Sequence, residues 1–486
     1  MIYRKLFPLL TFFTLSVPAL AIEDLILTPD STRLRHEVEW INTAQSDLVL
    51  STTWPVRISL SYPQLQNQWQ TLCENNNETP LLCDAVNQHL QNATKNISAE
   101  LTLANQGQFF PGFAESFDAS NANIVWDQQQ GSWQWHAEAT VRDDAERSPT
   151  GHLDGSFISW MKSDWRIGVG SPKQWWGPGW QSGLILSTHA RPTPGLFINY
   201  YQPTAFQSVF LNWLGPVQVV SFLNQLESER TIVNPFFWGF RFTAKPKSWL
   251  ELGLSRTAMW GGEGRDKGLD VFWDVLIGDD NQVGPGTEQP GNQLGGFDIK
   301  MAWEIAENRQ LGFYTEWIGE DEAGGLPSKP ILLAGTSFAE INSDGEGWRI
   351  IFEVSDTAVD PFSDSEFDVA YEHSIDTTGY RYYGRSMGSS FDSDSRTAVL
   401  IGQWYLNSTQ SLGGQLGFYQ INRDGSAREN APFQNANEME AVKIWYEQEI
   451  NQFTWRVQAD ALSELPENTY GFDERWRLLL AVKYNL

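Results

Sequence analysis

Residues 133–142 read WQWHAEATVR, and apolar and polar side chains alternate along the whole stretch. A period of two is typical of a β-strand with one apolar and one polar face. The same alternation runs through residues 297–305 and 453–461. Further alternating segments lie at 348–354, 398–406, 411–420, 440–448 and 478–486. Such segments number about eighteen and their polar faces often carry charges, so the sequence predicts an all-β transmembrane β-barrel of about eighteen antiparallel strands with a wet interior.

Tryptophan is abundant, with 23 among the 486 residues, and aromatic residues make up 13% of the chain. The mean hydropathy is nevertheless −0.37. Polar and apolar residues alternate along a transmembrane β-strand, so the mean hydropathy over a sequence window stays low although one face of the strand is apolar. Aromatic girdles mark both membrane interfaces of such barrels. A large soluble β-sandwich or propeller with an aromatic core fits the composition equally well, so composition alone leaves both classes open.

The first 21 residues have the layout of a secretory signal peptide. Arg4 and Lys5 form its positive region, residues 6–17 its apolar region, and Ala19-Leu20-Ala21 its cleavage site. We therefore expect export and cleavage after Ala21. No cysteine follows that site, so a lipoprotein is not expected. Export and a barrel together place the protein in the bacterial outer membrane, in contact with outer-membrane lipid.

Residues 22–95 are predicted to form a small α-helical module in the periplasm, ahead of a barrel at 96–486. Apolar residues recur there at helical spacing in three stretches, Leu34 to Ile41, Pro63 to Leu72 and Leu81 to Lys95.

The two cysteines, Cys73 and Cys83, lie close together in this exported chain. A disulfide is the expected state of such a pair. A metal site would need further ligands, and only Asp84 and His89 are nearby. We therefore expect a disulfide that joins the second and third helices.

The formal net charge is −27. This charge excludes nucleic acid as a partner, because phosphates are bound by lysine and arginine. It suits a surface that binds cations or that meets neutral or basic groups. An acidic polysaccharide would need bridging cations or a local reversal of charge. The turn-rich insertions 261–296 and 356–396 are predicted to be extracellular loops.

Residues 384–388 read GRSMG and match the G-x-S-x-G motif of hydrolases. That motif requires a strand before the serine and a helix after it, whereas a loop rich in serine and aspartate follows here. The six histidines are scattered, and the acidic run 392–394 lacks an EF-hand pattern. The sequence therefore predicts a protein that is not an enzyme and has no metal and no cofactor.

Aromatic side chains in or beside the two insertions are the remaining signal for binding. An aromatic ring offers a flat apolar face on which the C–H face of a sugar can stack, while sugar hydroxyls pair with acidic, amide and arginine groups. The candidate glycan-binding residues are Trp260, Phe272, Trp273, Tyr380, Tyr382 and Tyr383.

Residues 171–200 read SPKQWWGPGWQSGLILSTHARPTPGLFINY. The WWGPGW motif, the leucine/serine stretch after it and the Ala-Arg-Pro turn resemble the central motif of the Wzi family of outer-membrane capsule assembly proteins, and Thr53-Trp54-Pro55 also resembles that family. The resemblance implies an outer-membrane barrel of about eighteen strands, closed at one end by a periplasmic helical bundle. It also implies a non-enzymatic, lectin-like role in holding capsular polysaccharide at the cell surface.

The motif residues are interpreted as a structural signature, because no sugar contact can be carried over to them. They are Trp54, Pro55, Trp175, Trp176, Gly177, Pro178, Gly179, Trp180, Arg191 and Pro192. Arg191 is expected to pair with a buried carboxylate in the lumen.

Three alternatives stay open. A diffusion channel for oligosaccharides would have a conducting lumen, a hydrolase would depend on Ser386, and a scaffold would hold no sugar. The protein is expected to be a monomer, and the polysaccharide export machinery is a further candidate partner that the sequence neither requires nor excludes.

Overall fold

The computed structural model describes residues 24–44, 49–74, 79–90, 95–142, 151–268, 270–273, 291–323, 326–342, 345–362, 365–426, 428 and 430–485. The predicted signal peptide and Leu486 lie outside the described residues.

The strands close into a single antiparallel barrel, and the last strand pairs with the first through Leu479 opposite Ala104 and Asn485 opposite Ser98. Because two short segments share one place in the sheet, the barrel has eighteen strands, which confirms the predicted fold. The strands are β1 (Lys95–Ala104), β2 (Asn121–Gln130), β3 (Trp133–Arg142), β4 (Gly151–His152 and Phe157–Lys162), β5 (Trp165–Gly170), β6 (Gly195–Gln202), β7 (Val217–Gln225), β8 (Phe236–Lys247), β9 (Leu250–Trp260), β10 (Gly291–Ala306), β11 (Arg309–Ala323), β12 (Leu326–Ile341), β13 (Gly347–Asp356), β14 (Arg396–Asn407), β15 (Gln410–Ile421), β16 (Asn437–Ile450), β17 (Phe453–Leu462) and β18 (Trp476–Asn485).

Burial along the strands is inverted relative to a soluble protein. On β3 the apolar Trp133 and Val141 are 47% and 60% exposed, whereas polar residues between them, such as Gln134 and Glu138, are buried. Apolar side chains face outward and polar ones face the lumen, which is the arrangement of an outer-membrane β-barrel. Among the described residues, no helix is long and apolar enough to cross a membrane.

The two ends of the barrel differ in the length of their connections. Most connections at one end, which we call the turn end, are two residues long: 131–132, 163–164, 248–249, 307–308, 408–409 and 451–452. The connection 203–216 at this end is longer. The connections 105–120, 171–194, 261–290, 357–395, 422–436 and 463–475 lie at the opposite end, which we call the loop end. Outward-facing tryptophans near the turn end form an aromatic girdle of the kind that marks a membrane interface. They include Trp133, Trp165, Trp249, Trp303, Trp404 and Trp455.

Three helices precede the barrel: α1 (Thr32–Ala44), α2 (Pro63–Glu74) and α3 (Pro80–Leu90). Ser31 caps α1 by accepting a hydrogen bond from the Leu34 N–H at 3.1 Å. Pro63 begins α2 and Pro80 begins α3. Proline suits this position because the first N–H of a helix has no acceptor within the helix, so its absence costs nothing. The third helix was expected to reach Lys95, but Lys95 instead begins β1, where it lies opposite Gln128.

The predicted disulfide is confirmed, and it joins Cys73 at the end of α2 to Cys83 near the start of α3. Both sulfurs lie in a buried cluster with Trp69, Leu82 and Val86. The bond therefore closes a short loop within the helices and does not touch the barrel wall.

One loop boundary was predicted wrongly. The insertion 261–296 was expected to be loop throughout, but Gly291 to Gly296 belong to β10, where Gly291 lies opposite Trp260. These glycines and polar residues resemble a loop in sequence, yet the backbone ladder of the hairpin β9–β10 extends through them. Residues 269 and 274–290 of this insertion lie outside the described part of the chain.

Reduction of the disulfide should destabilise only the helices. Loss of a disulfide that closes a loop of this size lowers the free energy of unfolding of the helical region by about 2–3 kcal/mol. We expect a Cys73→Ser/Cys83→Ser variant to be cleaved faster by protease between α2 and α3, while its heat-modifiable gel mobility equals that of the wild type. Loss of the gel shift would show that the barrel itself depends on the bond.

Candidate functional site

The connection 171–194 leaves the barrel wall after β5 and crosses the lumen. Its Trp175–Trp176 segment pairs antiparallel with Thr53–Trp54 from the N-terminal region. Trp175, Trp176 and Trp180 are buried, as are Gly177, Pro178 and Gly179 between them. The motif that dominates the sequence therefore lies inside the barrel, where it joins the helical region to the wall.

Two glutamates of the barrel wall hold this connection through its backbone. Glu353 of β13 accepts hydrogen bonds from the N–H groups of Trp180, Gln181 and Ser182 at 2.7, 3.1 and 3.0 Å. Glu316 of β11 accepts from the N–H groups of Gly179 and Leu184 at 3.3 and 2.9 Å. Each side chain offers two carboxyl oxygens as acceptors, so it fixes several backbone groups at once.

Glycine is required in the motif where the chain passes Glu316. Gly177 has a φ of +113°, and a Cβ built on it would lie 2.2 Å from the Glu316 Oε1 atom. Any other residue would have to push the carboxylate aside and would also be strained at this φ.

Helix α1 approaches the same connection from the turn end. Arg35 donates from its Nη1 atom to the Gly179 carbonyl at 2.8 Å and from its Nη2 atom to the Pro178 carbonyl at 2.6 Å. Its guanidinium carbon lies 4.3 Å from the centre of a Trp180 ring. Nearby, Glu39 of the same helix pairs with Arg349 and Lys300 on the wall. The helix is thus anchored by ion pairs inside the polar barrel.

The connection 357–395 covers the lumen from the loop end. The Tyr371 hydroxyl donates to the Leu184 carbonyl at 2.6 Å, and the Tyr380 hydroxyl donates to the Ile185 carbonyl at 2.8 Å. The Ser187 N–H donates to the Met387 carbonyl at 2.8 Å. Helix α1, the connection 171–194 and the connection 357–395 therefore form a continuous column that fills the described lumen.

Tyr380, one of the candidate glycan-binding loop residues, is buried. Its side chain is 0% exposed and packs on Phe237. A tyrosine beside acidic residues looks like a surface residue in sequence, yet this ring belongs to the inner column. Its face is covered in this structure.

Trp260, Phe272 and Trp273 lie on the outer wall of the barrel. Trp260 is the last residue of β9 and packs between Phe236 and Phe272, with ring centres 5.4 and 4.7 Å away. Trp273 is 58% exposed beside them. The connection after β9 therefore folds back over the outward face, where aromatic rings typically mark a membrane interface. No pattern in the sequence indicated that the connection folds back in this way.

A group of five residues at the loop end combines aromatic and charged side chains, and we call it the tyrosine–arginine cluster: Asp154, Arg191, Glu227, Tyr382 and Tyr383. Arg191 donates to both oxygens of Asp154 at 2.5 and 2.9 Å. A buried carboxylate in the lumen was expected as its partner, whereas Asp154 is partly exposed and lies at the loop end. Its guanidinium carbon lies 4.6 Å from the centre of the Tyr383 ring, which is 4.7 Å from the Tyr382 ring. The Tyr383 N–H donates to Glu227 at 3.1 Å.

The cluster has unused hydrogen-bonding capacity. The Arg191 Nη1 atom and the Glu227 Oε2 atom are buried and have no hydrogen-bond partner among the described residues. Burial raises the pKa of both tyrosines, so their hydroxyls keep their protons and can donate. Sequence reasoning missed Asp154 and Glu227 because both are far from Tyr383 along the chain and belong to no motif.

The G-x-S-x-G motif has no hydrolase geometry. Ser386 lies in a two-residue strand paired with Arg381–Tyr382, and it is fully buried. Its hydroxyl accepts a hydrogen bond from the Gly388 N–H at 3.2 Å, and turns rather than a helix follow it.

Removal of the wall glutamates should open the lumen. In a Glu316→Ala/Glu353→Ala variant the backbone N–H groups of the connection 171–194 lose their acceptors, and a buried donor left unsatisfied costs about 1–3 kcal/mol. We expect the wild type to be silent in planar bilayers and the variant to show intermittent ion conductance. Glu304→Ala, which removes an exposed glutamate from β10, is the control and should stay silent. A silent double variant would show that the carboxylates do not hold the column in place.

Comparison with known proteins agrees with this architecture. The E. coli outer-membrane protein Wzi, described as a carbohydrate-binding β-barrel involved in group 1 capsule assembly, superimposes with a TM-score of 0.80 at 21% identity. The match covers 94% of this chain and 98% of that structure. At this identity the likeness shows the fold alone.

Sequence comparison identifies the family. An uncharacterised 55.8 kDa protein from the cps region of Klebsiella pneumoniae is 29% identical over 315 residues, which is 64% of this chain and 61% of that protein. Residues 96–478 match the family model of the capsule assembly protein Wzi. Because that model spans well over half of the chain, this outer-membrane barrel belongs to the Wzi family of capsule assembly proteins.

Proposed function

We propose that the protein is a non-enzymatic, lectin-like barrel that attaches capsular polysaccharide to the cell surface. The observation that carries the proposal is the filled lumen, which leaves the loop end as the surface for a long polymer. Outer-membrane barrels have short turns in the periplasm and long loops outside the cell, so the loop end faces the capsule. The relative from E. coli, which is described as carbohydrate-binding, supports the same class of ligand.

The tyrosine–arginine cluster has the chemistry that sugar binding requires. Tyr383 is only partly buried and offers a ring face for stacking, and the protonated tyrosine hydroxyls can donate. Arg191 packs its guanidinium on the Tyr383 ring while it is paired with Asp154, so it holds that ring in place. Because Asp154 and Glu227 outnumber Arg191 in the cluster, we expect it to favour neutral parts of a glycan over acidic ones.

The filled column argues against an oligosaccharide channel. Glu316 and Glu353 hold the connection 171–194 across the lumen, and Tyr371 and Tyr380 close it from the loop end. We place the export machinery, as a further proposed partner, at the turn end with the helices, and we expect the protein to act as a monomer.

Substitution in the cluster should weaken glycan binding. We expect Tyr383→Ala to lower the affinity of the purified protein for capsular polysaccharide about 10-fold, which corresponds to about 1.4 kcal/mol. Binding can be measured by retention of labelled polysaccharide on immobilised protein. Trp273→Ala removes an exposed ring from the outer wall and serves as the control with unchanged binding. The reverse result, with Trp273 required and Tyr383 dispensable, would move the glycan to the outer-wall group.

A further inference from the structure

Three aspartates from two connections meet at the loop end. Asp368 and Asp394 belong to the connection 357–395, and Asp424 belongs to the connection 422–436. One carboxylate oxygen of each lies within 4.8 Å of the other two. Three oxygens at this spacing can all reach a single cation.

Asp394 is the buried member and is incompletely bonded. Its side chain is 2% exposed, and its Oδ1 atom has no hydrogen-bond partner in the described part of the chain. The Oδ2 atom accepts from the Asp368 N–H at 2.9 Å and from the Ser393 hydroxyl at 3.0 Å. A buried carboxylate oxygen without a partner is costly, so a group that satisfies it is missing.

A cavity of about 10 Å³ lies beside these residues and is lined by Asp368, Asp394, Asn422 and Ser393. This space is near the lower limit for one water-sized occupant. Two further acids of the lining, Glu372 and Asp392, already pair with Arg381 and are not free to bind another group.

The charge around the cavity is unbalanced. Glu372, Asp392 and the three aspartates supply five negative charges, whereas Arg381 and Arg428 supply two positive ones, so three negative charges remain. Arg428 donates to the Asp368 carboxylate at 2.8 Å, which leaves that carboxylate's second oxygen for another ligand. A divalent cation would reduce the excess to one.

We infer that Asp368, Asp394 and Asp424 bind one Ca²⁺ ion at the loop end. All three ligands are carboxylate oxygens, the ligand type that Ca²⁺ and other hard cations prefer over zinc or copper. The ion ties the connection 357–395, which closes the lumen, to the connection 422–436. The inference departs from the expectation from sequence that the chain has no metal site. No sequence motif predicts this site because its three aspartates come from two separate connections.

The inference can be tested with the metal alone. Full-length protein in detergent is stripped with EDTA and titrated with CaCl2 by isothermal titration calorimetry. We expect one ion per chain with a Kd of about 10⁻⁴ to 10⁻³ M, the range of extracellular sites. Asp394→Asn should weaken binding at least 10-fold. Asp473→Asn, which removes an exposed carboxylate from the same end of the barrel, should bind like the wild type.

Folding of each variant is checked by its heat-modifiable gel mobility. If Asp394→Asn does not fold, Asp424→Asn replaces it, because Asp424 is exposed and can lose its charge without a packing change. No heat of binding in the wild type at 10 mM Ca²⁺ (about 10-fold above the weakest expected Kd) would overturn the inference. Equal affinity in the folded aspartate variant and the wild type would overturn it as well.

Discussion

Backbone groups inside a barrel need hydrogen-bond partners, and here the partners are carboxylates on the wall. Glu316 and Glu353 together accept from five N–H groups of the connection 171–194, which would otherwise be buried without partners. Arg35 meets the carbonyl groups of the same connection from the other side. The signature motif is therefore held between the wall carboxyl groups and helix α1.

The filled lumen also determines which surfaces of the barrel can contact lipid and ligands. Since the lumen is occupied by chain, the outward face is left to lipid and the loop end to ligands. Aromatic residues follow this division: the tryptophans of the girdle and the group around Trp260 face outward, whereas Tyr371 and Tyr380 close the lumen. Tyr383 is partly buried beside Arg191 at the loop end, and in the proposed function it is the ring on which the polymer stacks.

The fold could be predicted from sequence because it rests on local patterns. Alternation gave the strands, helical spacing with Pro63 gave the helices, and two nearby cysteines gave the disulfide. The placement of side chains at the loop end could not be predicted in this way. Tyr380 and Tyr383 lie three residues apart in one stretch, yet one ring is covered and the other is partly open. That difference arises from contacts with Phe237 and Arg191, which lie far away along the chain.

The central claim is that this filled barrel retains polysaccharide outside the cell. The most direct test compares cell-bound and shed polysaccharide in a strain that lacks the protein, with the wild-type chain restored as the control. The account predicts that total synthesis is unchanged, that polysaccharide moves into the medium, and that the restored chain returns it to the cell. Full retention of polysaccharide by the cells without the protein would contradict the account.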